Sequence, residues 1–179
     1  MATLLLVAAL TDAAAIYNER VAIVLGFLTL LALLAVFFSC RSFLSALSYV
    51  RLGNPMNGKA YRKFYQYHAY YWWAFGVLLL AHFTMALLHT GLPKAGDRDA
   101  ALHWAILALG LGAALAAGLL LVSCRIMPRL ITAATSQKPM ISAVFRGFFK
   151  LHNYYWWLIL LLVGAHFTLS YLHAGIWPR

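Results

Sequence analysis

Seven histidines occur in this chain of 179 residues, and six of them fall into two matched triplets. His68, His82 and His89 form the first, and His152, His166 and His173 the second. The stretches that carry them, HAYYWWAFGVLLLAHFTMALLH and HNYYWWLILLLVGAHFTLSYLH, align without a gap at an offset of 84 residues. Imidazole binds transition metals and carries protons near neutral pH. Both stretches are also apolar enough to cross a bilayer, where ionisable groups are rare and by default functional. One intramembrane histidine is more often a hydrogen-bonded packing residue. Two matched triplets point to shared chemistry.

The spacing says what that chemistry can be. His68 to His82, and His152 to His166, is a step of 14 residues. On a helix this is about 21 Å along the axis and about 40° short of four full turns, so both residues share one face. The four side chains are then expected to meet as two facing pairs at two depths, His68 level with His152 and His82 with His166. Haem iron takes axial histidines, and bundle interiors are common sites for such groups. Two haem b groups, an inner one on His68 and His152 and an outer one on His82 and His166, would occupy all four imidazoles. Each ring would donate its second N–H to a nearby carbonyl or hydroxyl.

His89 and His173 lie seven residues further on, about 10 Å beyond the outer pair, too close for a third porphyrin. They are candidates for a propionate contact or for taking protons from a quinol. Arg62 and Arg146, six residues before the inner histidines, are candidates for propionate pairing, although solvated loop charges are the simpler reading. His103 has no repeat partner, because Glu19 holds the aligned position. It reads as a surface or quinone-site residue.

Composition supplies the elements that must hold these groups. With 64% hydrophobic residues, the chain lies well above the roughly half-apolar content of soluble domains. A spanning helix takes about 20 mostly apolar residues, and four stretches qualify, near 21–39, 69–88, 102–123 and 154–172. No apolar tract remains for a soluble domain, and there is no room for a dinucleotide fold. The expected fold is an all-α, four-span membrane bundle of two helical hairpins, residues 21–93 and 94–179, preceded by an arm at 1–20. Spans two and four are separated by a full hairpin and run the same way, so the halves are expected to be parallel repeats.

Ten of the 14 Lys and Arg fall in two loops: Arg41, Arg51, Lys59, Arg62 and Lys63, then Arg125, Arg129, Lys138, Arg146 and Lys150. All four acids, Asp12, Glu19, Asp97 and Asp99, lie elsewhere. The positive-inside rule puts the basic loops in the cytoplasm and both termini outside. A net charge of +10 then orients helices and attracts anionic lipid, with no nucleic-acid partner needed. The first loop is expected to extend span one to about Leu52, and Lys59 to begin span two early. No positive segment precedes the apolar run at 3–10, which reads as an outer-surface helix or an arm touching a partner rather than a cleaved leader.

Cys40 and Cys124 sit in matched Ser-Cys-Arg triplets. They read as free, packing thiols, since an iron–sulfur cluster needs four ligands. The YYWW blocks read as interfacial aromatics, some of them packing against the inner porphyrin. Thr84 and Thr168 are expected to bond the backbone four residues back.

Four histidines at this step resemble the dihaem b-type cytochromes. These include the cytochrome b of quinol–cytochrome c oxidoreductases and the membrane domains of ferric reductases and NADPH oxidases. The resemblance carries over to His68, His82, His152 and His166 alone. Of the glycine pairs that make room for porphyrin in cytochrome b, the first span keeps only Gly26, expected to face Gly110 of the third. The later quinol-site motif, the flavin domain and the nicotinamide domain have no counterpart here. What the resemblance implies is an integral-membrane electron carrier in a prokaryotic cytoplasmic membrane. It would anchor a respiratory or redox complex, with iron–sulfur or multihaem subunits as partners and quinone at its edge. Two other classes with bound groups or ions compete, a chlorophyll-type pigment protein with one axial histidine per pigment and a histidine-based proton or metal-ion transporter, and a purely structural anchor is the remaining reading. Against the transporter, no span holds an acid or a proline break.

Overall fold

The computed structural model describes residues 2–40, 58–92, 99–124, 132 and 143–174. Among these the chain is all-helical: α1 (Ala2–Phe38), α2 (Lys59–Gln66), α3 (His68–Thr90), α4 (Ala100–Ser123), α5 (Ala143–Lys150) and α6 (His152–Ala174). Four stretches are long and apolar enough to cross a membrane: Glu19–Phe38, His68–Leu88, Ala100–Ser123 and His152–His173. Each end falls within two residues of its expected place, because the spans are bounded by charge and by abrupt loss of apolar residues.

The N-terminal segment is helical and continuous with the first span: α1 runs unbroken from Ala2 to Phe38, since no Gly or Pro occurs before Gly26 to interrupt it. Two local expectations are corrected. At its other end α1 stops at Phe38 instead of continuing towards Leu52, and residues 41–57 lie outside the described part. The Ser39 hydroxyl turns back to the carbonyls of Ala35 (2.6 Å) and Val36 (3.0 Å) and caps the helix end. Finally, Lys59 does not begin the second span early. It opens a separate short helix, α2, which breaks at Tyr67, whose N–H bonds Phe64 three residues back. The α-helical ladder is interrupted there, and α3 starts on His68. Leu151 makes the same break between α5 and α6, its N–H reaching Phe148 at 3.2 Å and Gly147 at 3.4 Å.

Helix packing is close within each hairpin, α1 on α3 and α4 on α6, while the backbones of the two hairpins scarcely approach one another. Side chains span that gap. Leu33 and Val36 of α1, Trp72 and Phe75 of α3, Ala117 and Leu120 of α4, and Trp156 and Ile159 of α6 form one buried cluster. Within lipid such contacts rely on fit rather than on the exclusion of water, and the small Ala116 and Ala117 let α4 come close. Leu31, Val77, Leu80, Leu115, Leu161 and Leu172 face outward, each more than half exposed. An apolar exterior of this kind is what lipid contact requires.

The YYWW blocks divide between these two environments. Trp73 and Trp157 are 69% and 74% exposed, as interfacial residues should be, whereas Trp72 and Trp156 are 7% and 3% exposed and belong to the core. A helix turns 100° per residue, so adjacent tryptophans cannot share a face.

Outside the spans, α2 is tied to the end of α1 by Tyr61, whose hydroxyl donates to the Phe38 carbonyl. Burial, followed by the neighbouring Cys40 and Tyr65, raises the Tyr61 pKa above its usual value.

Candidate functional site

The four histidines at the 14-residue step all turn inward and fall into two pairs. His68 and His152 lie at the end that carries the basic loops, and His82 and His166 lie about 21 Å further along the helices. The two pairs are held by different means.

His82 and His166 face each other across the gap between hairpins, with ring centres 6.3 Å apart and planes at 89°. His82 Nδ1 donates to the Ala22 carbonyl of α1 at 2.9 Å, and His166 Nδ1 to the Ile106 carbonyl of α4 at 3.0 Å. A carbonyl can only accept, so each Nδ1 carries the proton and each Nε2 keeps its lone pair. The rings reach main chain because the neighbouring helix has no side chain there. A Cβ on Gly26 would stand 3.0 Å from His82 Cε1, and one on Gly110 would stand 3.1 Å from His166 Cε1. Gly26 and Gly110 therefore each face an imidazole of their own hairpin, not each other as expected. In each hairpin the accepting carbonyl lies one helical turn before the glycine.

His68 and His152 are the first residues of α3 and α6, and side chains hold them. Ser39 Oγ lies 2.7 Å from His68 Nδ1, and Ser123 Oγ 2.7 Å from His152 Nδ1. Each hydroxyl gives its single proton to a carbonyl, Ser39 to Ala35 and Ser123 to Leu120 at 2.8 Å. Oγ must then accept from Nδ1–H, which again leaves the lone pair on Nε2. The Trp72 indole, a donor only, confirms this by pointing its N–H at His68 Nε2 from 3.3 Å.

Both Nε2 atoms at this end also meet a thiol of the opposite hairpin. Cys124 Sγ is 3.4 Å from His68 Nε2, and Cys40 Sγ is 3.2 Å from His152 Nε2. Both cysteines are free and buried. With its Nε2 unprotonated, His152 accepts from the Cys40 S–H, while Cys124 Sγ lies beside a His68 Nε2 that already takes the Trp72 N–H; the crossed contacts link the two hairpins. Trp156 Nε1, the counterpart of Trp72 Nε1, is buried without a hydrogen-bond partner.

The other expected site residues are scattered. Arg62 and Arg146 are exposed on α2 and α5. The side chain of His89 lies outside the described residues. His173 is at the far end of α6, with its Nε2 2.8 Å from that of His103. Thr168 bonds the Gly164 carbonyl four residues back, as expected. Reading for metal ligands alone missed the two serines and the contacts that both thiols and the Trp72 indole make with the inner histidines; the repeated Ser-Cys-Arg triplet was the available signal.

The residues fit axial ligation at His82 and His166. Two imidazoles on opposite sides of one metal, each bonded at about 2 Å, place their ring centres about 6 Å apart. Perpendicular planes do not clash in that arrangement. Among the described residues no group of three or more His, Cys, Asp or Glu converges on a metal ion. Fold and site together define an all-helical membrane protein with paired interior histidines of fixed tautomer. Comparison with protein families, curated proteins and solved structures returns no match.

Proposed function

We propose that this chain is an integral-membrane dihaem cytochrome b, moving electrons across the bilayer through two bis-His haems. It would serve as the membrane anchor of a respiratory or redox complex and exchange electrons with quinone. The observation that carries this reading is the pair His82 and His166: level, 6.3 Å between ring centres, each ring seated over a glycine, each Nε2 deprotonated. A packing histidine needs neither a cleared neighbour nor a duplicate at the same height.

His82 and His166 would hold the outer haem, and His68 and His152 the inner one. Bound haem supplies reversible one-electron chemistry at iron. The chain supplies the rest. Ala22, Ile106, Ser39 and Ser123 accept the Nδ1 protons, which orients the imidazoles and raises their basicity. The apolar helices exclude water. Two histidines per haem would leave no protein-side position open, so substrate chemistry would belong to partner subunits, iron–sulfur or multihaem proteins. Basic loops on the cytoplasmic side and both termini outside are the orientation that the charge distribution favours.

The test is the visible spectrum and haem content of the purified chain. A low-spin b-type α-band on reduction is expected, with up to two haems per chain. A pigment spectrum, or zinc or copper without iron, would replace this reading with one of its two competitors.

A further inference from the structure

The second hairpin ends, on the side away from the basic loops, in two imidazoles that touch. His103 is in the first turn of α4, where its N–H bonds the Asp99 carbonyl at 2.9 Å. His173 is at the end of α6. Their Nε2 atoms are 2.8 Å apart, their ring centres 4.6 Å, and their planes at 88°.

At that separation one nitrogen must carry a proton and the other must accept it, because two facing lone pairs repel. The same separation suits two ligands of one ion. Nitrogens bonded at about 2.0–2.1 Å to one metal, at right to tetrahedral angles, stand about 3 Å apart. The spacing is set by two helices packed along their length, so little ordering is needed for binding. His173 is exposed and His103 half-buried, which leaves the remaining coordination positions open to water.

The repeat is broken at this point. The aligned position in the first hairpin carries Glu19, so the pairing of two imidazoles belongs to the second hairpin alone. No third protein ligand converges among the described residues, so the site would suit an exchangeable ion rather than a structural one.

We propose that His103 and His173 bind one divalent transition-metal ion through both Nε2 atoms, with water completing its coordination. Imidazole donors select Zn²⁺, Cu²⁺ or Ni²⁺ over the oxygen-seeking Mg²⁺ and Ca²⁺. On binding, the proton shared between the rings moves to Nδ1 of the ring that held it, and both lone pairs turn to the metal. The site is about 10 Å along α6 from His166 and does not depend on haem being present.

The experiment uses the tag-free full chain in detergent, stripped with a chelator and titrated with Cu²⁺ alone. One ion per chain is expected, with an electron paramagnetic resonance spectrum split by two imidazole nitrogens. His103→Gln and His173→Gln should each weaken binding by about 100-fold or more, above the range for losing a supporting contact. Circular dichroism checks that both variants keep their helices. Absence of stoichiometric binding, or binding of equal strength in the double variant, would overturn the assignment.

Discussion

The two interior histidine pairs use the same residue, on the same two helices, at a fixed step along them. At the far pair, His82 and His166 are fixed by main-chain carbonyls and seated over glycines, so little but the helix backbone determines their geometry. At the basic end, His68 and His152 are fixed by serine hydroxyls, and their remaining nitrogens are met by thiols from the opposite hairpin. Main chain cannot swing away, but a hydroxyl and a thiol can change rotamer. The far pair therefore has its ring orientation set by main chain, which the proposed haem site would use directly. At the basic end the Nε2 atoms are covered by the two thiols and, on His68, by the Trp72 indole.

Removing ligands should separate the pairs most clearly. His82→Ala is expected to abolish about half or more of the bound haem, and His68→Ala to take away less, because binding at the basic end must first displace two thiol contacts. Haem assay of the two variants side by side measures this. A larger loss from His68→Ala would reverse the ranking of the pairs.

Filling the cradles comes next. Gly26→Val and Gly110→Val would push each ring off its carbonyl, at about 1–3 kcal/mol of overpacking each. The far-pair haem signal should disappear while any signal from the basic end persists. Spectra of the double variant that match the parent would show that the cleared space at 26 and 110 is not required.

Freeing the thiols acts in the opposite direction. Cys40→Ala with Cys124→Ala removes the thiols from both basic-end Nε2 atoms, leaving the Trp72 indole on His68, so haem per chain should rise towards two. Thermal stability should fall by about 1 kcal/mol as the crossed hydrogen bonds are lost. Unchanged haem content would mean that the thiols do not limit access.

Tyr61 offers the mildest perturbation, outside the spans. Tyr61→Phe removes the bond to the Phe38 carbonyl and should lower stability by about 1 kcal/mol or less. The sign of the pH effect follows from the raised pKa. The folded chain holds this proton more tightly than the unfolded chain does. Its contribution is intact below the ordinary tyrosine value of 10.0 and is lost as pH rises through the higher folded value. Thermal melts across that range should show a steeper alkaline decline for the parent than for the Phe variant.

How much was legible beforehand differs between the pairs. The histidine spacing announced two levels, and the apolar runs announced four spans nearly to the residue. The Nδ1 acceptors could be anticipated only as a class, carbonyl or hydroxyl, because they lie 29 or 60 residues away in sequence on another helix. The thiols read correctly as free and packed, but their contact with the other hairpin, 56 and 112 residues away, depends on tertiary structure. The break at Tyr67 escaped notice because KAYRKFYQYHAYYWW contains no glycine or proline to mark it.

What the chain determined by itself is everything governed by local free energy: which segments prefer lipid, where helices can run, and which residues share a face at 3.6 per turn. Tertiary structure alone decided which donors meet. A hydrogen bond tolerates only a few tenths of an ångström, and the closeness of α1 to α3, of α4 to α6, and of one hairpin's thiols to the other's imidazoles is set by how whole helices pack, a property that no single stretch of sequence contains.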